Sequence, residues 1–85
     1  MSQDNSTDKV EIRKGYYKSG ALNWETPYVN GEIHGIAKDY YESGALRCES
    51  PCVNGKEHGI EKHYSESGAL KCSNLYDYGR YKGEI

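Results

Sequence analysis

Glycine recurs through this 85-residue chain at a fixed interval. Gly20, Gly44 and Gly68 stand 24 residues apart, and so do Gly31, Gly55 and Gly79, and Gly35, Gly59 and Gly83. Laying Tyr16–Asp39 (YYKSGALNWETPYVNGEIHGIAKD) on Tyr40–His63 (YYESGALRCESPCVNGKEHGIEKH) gives 15 identities in 24 positions. A third copy, YSESGALKCSNLYDYGRYKGEI, runs from Tyr64 to Ile85. Ahead of the first, Ile12, Lys14 and Tyr16 match Ile36, Lys38 and Tyr40, so half a unit precedes it. Such self-similarity describes a supersecondary unit that cannot bury its apolar residues alone and stacks on its own copies. The reading is one repeat domain over residues 10–85, with units at about 16–39, 40–63 and 64–85, behind a polar lead-in at 1–9 expected to be disordered.

Each unit carries two turn signals. Asn30-Gly31 and Asn54-Gly55 are pairs suited to the two positive φ angles of a type I′ hairpin turn. Ser19-Gly20, Ser43-Gly44 and Ser67-Gly68 mark the second reversal. Two reversals per unit leave strands of about eight to ten residues. Helix is disfavoured, because no apolar 3.6-residue pattern appears and glycine interrupts every stretch. The expected fold is all-β: an open antiparallel meander of stacked β-hairpins. The glycines assigned to its turns are Gly20, Gly31, Gly35, Gly44, Gly55, Gly59 and Gly68.

Residue parity predicts the faces. Even positions Ile36, Tyr40, Leu46, Cys48 and Cys52 carry the bulk of the second unit. The odd positions Glu25, Arg47, Glu49, Glu61 and Lys71 are charged. If side chains simply alternate, one sheet face is aromatic and aliphatic and the other is charged.

Composition limits function. Leu, Ile and Val number only 12, Phe is absent and Tyr numbers 9, so the apolar surface is mostly tyrosine. A net charge of −2, from 11 basic and 13 acidic residues, gives no clustered positive face for nucleic acid. No apolar run is long enough for a membrane helix or a secretory signal, and a cytoplasmic location is the expectation.

The strings Gly31-Glu32-Ile33-His34-Gly35 and Gly55-Lys56-Glu57-His58-Gly59, each followed by Ile, Lys, a tyrosine and Ser-Gly, resemble MORN repeats, and more narrowly their 24-residue bacterial variant. The resemblance covers about Glu11 to Ile85. The third copy departs from it, with Lys82 in place of histidine and Asp77-Tyr78 in place of Val-Asn, so its hairpin is expected to be irregular or to act as a cap. The resemblance implies an elongated, non-catalytic scaffold that binds protein partners, self-associates or, more weakly, binds phospholipid. Relatives carry an antitoxin label or a phosphatidylinositol-4-phosphate 5-kinase label. This chain is too short for a kinase and lacks a phosphate-cradling glycine motif followed by lysine.

Candidate chemistry is sparse. Cys48 and Cys72 are repeat equivalents two strands apart, about 9–10 Å, beyond the roughly 7 Å a disulfide spans. All three cysteines, with Cys52, read as small buried residues that do not converge on a metal. His34 and His58 are expected to hydrogen-bond a neighbouring loop carbonyl, and His63 to lie on the surface. Glu25 and Glu49 form a solvated face and not an acid–base pair, and no serine has a base beside it. No catalytic residue, metal or cofactor is assigned. Tyr16, Trp24, Tyr28, Tyr40, Tyr64 and Tyr76 are the candidate partner-binding residues, on a concave aromatic face read both as intramolecular core and as partner surface. The partner classes are an unidentified protein, a cognate toxin, a second copy joined at the terminal strand edge or through the aromatic face, or, as a weaker alternative, a lipid surface met by Lys14, Lys38 and Lys62.

Overall fold

The computed structural model describes residues 7–85; residues 1–6 of the expected lead-in lie outside the described part. Asp8 and Lys9 are held at the first Asn-Gly turn. The Lys9 N–H donates to Asn30 Oδ1 at 2.8 Å, the Asn30 N–H to the Lys9 carbonyl at 2.8 Å, and Asn30 Nδ2 to Asp8 Oδ1 at 3.2 Å.

Nine strands follow among the described residues: β1 (Val10–Tyr16), β2 (Leu22–Val29), β3 (Glu32–Ile33), β4 (Gly35–Tyr40), β5 (Leu46–Val53), β6 (Lys56–Glu57), β7 (Gly59–Tyr64), β8 (Leu70–Asp77) and β9 (Arg80–Glu84). All belong to one antiparallel sheet in the order β1-β2-β4-β5-β7-β8-β9, with β3 also on β2 and β6 also on β5. This is the open meander of hairpins read from the repeat. It is a single layer, 45 × 35 × 18 Å, with a radius of gyration of 14.6 Å against about 12 Å for a compact chain of this length. Among the described residues only Cys48, Cys52 and Ser73 are buried, and no large side chain is.

Local conformation follows the turn chemistry. Asn30-Gly31 and Asn54-Gly55 take φ of 52° and 86°, and 50° and 87°, the type I′ pattern. The third hairpin makes the same turn with Tyr78 at φ 45° before Gly79, a conformation that costs an aromatic residue about 1 kcal/mol. At the other end, Gly20, Gly44 and Gly68 close loops whose hydrogen bonds repeat in all three units, as in the Tyr17 N–H to the Ala21 carbonyl at 2.8 Å. Gly35 and Gly59, assigned to turns from the sequence, instead open β4 and β7 and are more confined than the glycines within the turns. Their φ is 121° and 122°, and a Cβ on either would sit 3.0 Å from Cγ of Pro27 or Pro51. The terminal hairpin keeps the backbone of the others, with φ of 45°, 87° and 120° at Tyr78, Gly79 and Gly83, and differs in its strand. β9 runs unbroken with a one-residue register shift where β3 and β6 stop before His34 and His58.

Both ends of consecutive units are laced together. At the Ser-Gly end, the Tyr17 hydroxyl donates to the Tyr40 carbonyl at 2.6 Å and the Tyr41 hydroxyl to the Tyr64 carbonyl at 2.7 Å. At the Asn-Gly end, the Asn54 N–H donates to His34 Nδ1 at 3.3 Å and the Tyr78 N–H to His58 Nδ1 at 3.1 Å. The N–H of Gly55 donates to the Ile33 carbonyl at 2.9 Å, and that of Gly79 to the Glu57 carbonyl at 2.7 Å. The histidines therefore bridge units, but as acceptors from a backbone N–H and not as donors to a loop carbonyl. With Nδ1 accepting, the neutral ring carries its proton on Nε2. The His58 ring also stacks on Tyr78 at 3.9 Å.

The register overturns the parity reading. Ile36 lies opposite Pro51, Lys38 opposite Glu49, Asp39 opposite Cys48, and Cys48 opposite His63. In each pair an even position faces an odd one. The loop between β4 and β5 closes on the even-sum pair Tyr40 and Leu46, and the one-residue bulge beyond it makes every further sum odd. β5 and β7 are joined through the two-residue Asn54-Gly55 turn, whose pairs sum to an odd value from the start. Faces therefore swap parity from strand to strand. One face carries Ile12, Pro27, Ile36, Pro51, Ile60 and Leu75 as a row across six strands. Beside it runs a second row, Lys14, Glu25, Lys38, Glu49, Lys62 and Ser73. The other face carries Trp24, Asp39, Cys48, His63 and Cys72 in one row, with Tyr28, Cys52 and Tyr76 further along the same strands. We term these the isoleucine face and the cysteine face. Near the Ser-Gly turns, Tyr16, Tyr40 and Tyr64 pair with Leu22, Leu46 and Leu70, the neighbours expected for them.

Candidate functional site

The six candidate aromatics do not share a face. Tyr16, Tyr40 and Tyr64 continue the alternation of Lys14, Lys38 and Lys62 at the ends of β1, β4 and β7, the extra residue of each bulge lying on the partner strand, and stand on the isoleucine face, whereas Trp24, Tyr28 and Tyr76 stand on the cysteine face. Their engagement also differs. Tyr40 donates its hydroxyl to Glu25 at 2.6 Å and Tyr64 donates to Glu49 at 2.7 Å. The Glu25 bond, with burial second, pushes the Tyr40 hydroxyl up to about 12. Tyr16 is 61% exposed. Trp24 lies across Gly15, whose absent side chain makes room: a Cβ there would fall 2.1 Å from the indole Nε1. Arg13 covers the Tyr28 ring at 4.0 Å, and Tyr76 packs against Tyr81 at 5.6 Å.

On the isoleucine face the apolar row is open to solvent. Ile12 is 54%, Ile36 49%, Ile60 40% and Leu75 37% exposed. The lysine ladder considered for lipid contact is interleaved with carboxylates. Lys14 lies opposite Glu25, Glu25 opposite Lys38, Lys38 opposite Glu49, and Glu49 opposite Lys62. Opposite charges directly across a ladder stabilise the sheet and leave little net field.

The cysteine face gathers polar chemistry in the second unit. Cys48 is buried on β5, with its Sγ 3.7 Å from Ser50 Oγ and 4.0 Å from His63 Nε2. His63 Nε2 lies 2.8 Å from Glu61 Oε1, which also accepts from Asn74 Nδ2 at 3.3 Å. The ligand atoms of Cys48, Glu61 and His63 all fall within 4.8 Å of one another. Glu57, opposite Cys52, has its Oε2 buried without a hydrogen-bond partner. Burial first, and then the neighbouring Glu61 carboxylate, push Glu57 up to about 7. Burial also works against the charge on Glu61, but hydrogen bonds from Glu57, His63 and Asn74 outweigh it and hold Glu61 below its ordinary value. Burial pushes the Cys48 and Cys52 thiols up.

Sequence reasoning missed this cluster. It weighed the cysteines only against one another and put His63 on the surface, whereas the register seats His63 directly between Cys48 and Cys72, half-buried. It also passed over Gly15, Tyr17 and Tyr41; the doubled tyrosine at the head of two units was the available signal for the last two.

A single-layer sheet of stacked, laced hairpins with no helix long and apolar enough to cross a membrane among the described residues defines a β-hairpin repeat protein. The family described as the MORN repeat variant matches residues 33–54 and 57–78, just over half of the chain. The chain belongs to that family, whose repeat is a non-catalytic module of protein and membrane interaction. Comparison with curated proteins and with solved structures gave no match.

Proposed function

We propose that this chain is a non-catalytic interaction module that binds a protein partner on its isoleucine face. The observation that carries this reading is the row from Ile12 to Leu75, apolar, contiguous across six strands and between 37% and 54% exposed at its four aliphatic positions. Contiguous exposed apolar surface is characteristic of interfaces. Tyr16 extends the row with an exposed ring, and Tyr40 and Tyr64, their hydroxyls fixed by Glu25 and Glu49, border it. Trp24, Tyr28 and Tyr76 face away and take no part in the same contact. The alternating Lys and Glu row favours a protein over an anionic membrane, since attraction to such a membrane needs net positive charge. A cognate toxin, raised by the family resemblance, is one partner of this kind.

Photo-crosslinking in cells tests this. A benzoylphenylalanine at Ile36 yields a discrete protein adduct that the Ile12→Ser/Ile60→Ser background abolishes, and the same group at Ala37, on the opposite face, yields none. Equal adducts from both faces, or no adduct from Ile36, overturn the assignment. An adduct of twice the chain mass replaces the partner with a second copy. Salt-sensitive co-sedimentation with anionic vesicles replaces it with lipid.

A further inference from the structure

We infer that the second unit holds a zinc-class divalent metal site, with Cys48 Sγ, His63 Nε2 and a Glu61 carboxylate oxygen as ligands. Two observations converge. The first is position: β5 and β7 place Cys48 directly opposite His63, and Glu61, two residues back along β7, shares their face. All three ligand atoms lie within 4.8 Å of one another. The second is fit. Tetrahedral zinc, with bonds of about 2.3 Å to sulfur and about 2.0–2.1 Å to nitrogen and oxygen, requires ligand separations of about 3.6 Å and about 3.4 Å. Sulfur to nitrogen is 4.0 Å here and nitrogen to oxygen 2.8 Å, each about half an ångström from its target, and sulfur to oxygen, within 4.8 Å, has at most about 1.2 Å to close, all within side-chain rotation.

The donor set selects the metal. Thiolate with imidazole suits Zn²⁺ and Co²⁺ and excludes Mg²⁺ and Ca²⁺, which take oxygen ligands. Binding expels the Cys48 thiol proton, and the ion takes the His63 Nε2 position that now faces Glu61. Ser50, beside Cys48 and hydrogen-bonded to Glu61 at 3.5 Å, and Asn74 orient the ligands from outside. Three protein ligands leave a fourth position, reached from solvent on the His63 side, where the side chain is 39% exposed. The other units do not reproduce the set. The first has Trp24, Ala37 and Asp39 at these positions, and the third has Cys72 and Ile85 with no counterpart of His63.

The test uses the reduced, tag-free, full-length chain after chelator treatment, titrated with Co²⁺ alone. The site predicts one equivalent per chain, a thiolate-to-cobalt charge-transfer band and the intense red absorption of four-coordinate Co²⁺, all displaced by Zn²⁺. Cys48→Ser and His63→Gln each weaken binding by at least the roughly 10–100-fold lost with even an outer-shell partner, and Glu61→Gln by about 10-fold or more. His34→Gln leaves binding unchanged. Circular dichroism establishes that each variant is folded. As a readout on the unaltered chain, Zn²⁺ shields Cys48 from alkylation, located by mass spectrometry, while Cys72 still reacts. Absence of the charge-transfer band, its loss with Cys72→Ser in place of Cys48→Ser, or a stoichiometry of one metal per two chains overturns the intrachain site.

Discussion

The first and second units have nearly the same backbone and opposite kinds of cysteine face. Around Trp24 the first unit places Ile33, Ala37 and Asp39; at the matching positions around Cys48 the second places Glu57, Glu61 and His63. The isoleucine face shows no such divergence. Ile12, Ile36 and Ile60 repeat, as do Lys14, Lys38 and Lys62, Leu22, Leu46 and Leu70, and Tyr16, Tyr40 and Tyr64. Repeated residues set the turns, the lacing and one face; residues that do not repeat collect on the other. The fold is thus specified by what the units share, and individual chemistry is confined to a surface where substitution leaves the hairpin geometry intact.

Substitutions at shared positions therefore give equal costs in the two units, and substitutions on the cysteine face give unequal ones. The largest effect is expected at the glycines pressed against proline. Gly35→Ala and Gly59→Ala each lower unfolding free energy by about 2–3 kcal/mol, from left-handed strain and the 3.0 Å proline contact together. Urea unfolding checks the pair, and a difference beyond about 1 kcal/mol breaks the equivalence of the units. Next is the exchange at the positions of Ile33 and Glu57. In metal-free protein, Glu57→Ile raises stability by about 1–2 kcal/mol by removing the buried, unpartnered carboxylate oxygen, and Ile33→Glu lowers it by a similar amount. Thermal melts with chelator present give both signs; a loss on Glu57→Ile contradicts the comparison.

The histidine bridges sharpen it further. Each accepts one backbone N–H, but only His58 also stacks on an aromatic ring. His58→Ala is expected to cost about 1.5 kcal/mol and His34→Ala about 1 kcal/mol. Equal losses in denaturant titrations remove the stack from the account. Smallest is Tyr78→Asn. Asparagine relieves the φ of 45° but forfeits the His58 stack, so stability changes by less than about 0.5 kcal/mol.

The sequence displays some of this architecture and conceals the rest. The period, the Asn-Gly and Ser-Gly reversals and the meander are local chemistry repeated from unit to unit, and so are legible. The faces depend on register, a property of pairs of strands. Parity alone puts Ile36 and Cys48 on one side, but the one-residue bulge between β4 and β5 pairs even positions with odd ones and separates them. The same oversight united six aromatics that stand on two faces and separated Cys48 from His63. Gly15 gave no turn signal, since its role is to make room for the Trp24 indole.

The division of the sheet into two faces carries both the protein-binding row and the metal cluster, and its direct measurement is a methyl-resolved nuclear Overhauser spectrum of isoleucine-labelled protein. The register predicts cross-strand contacts from the Ile36 methyl to Pro51 and from the Ile60 methyl to Leu75. Contacts from the Ile36 methyl to the Cys48 or Cys52 side chains would instead place isoleucine and cysteine on one face and contradict the account.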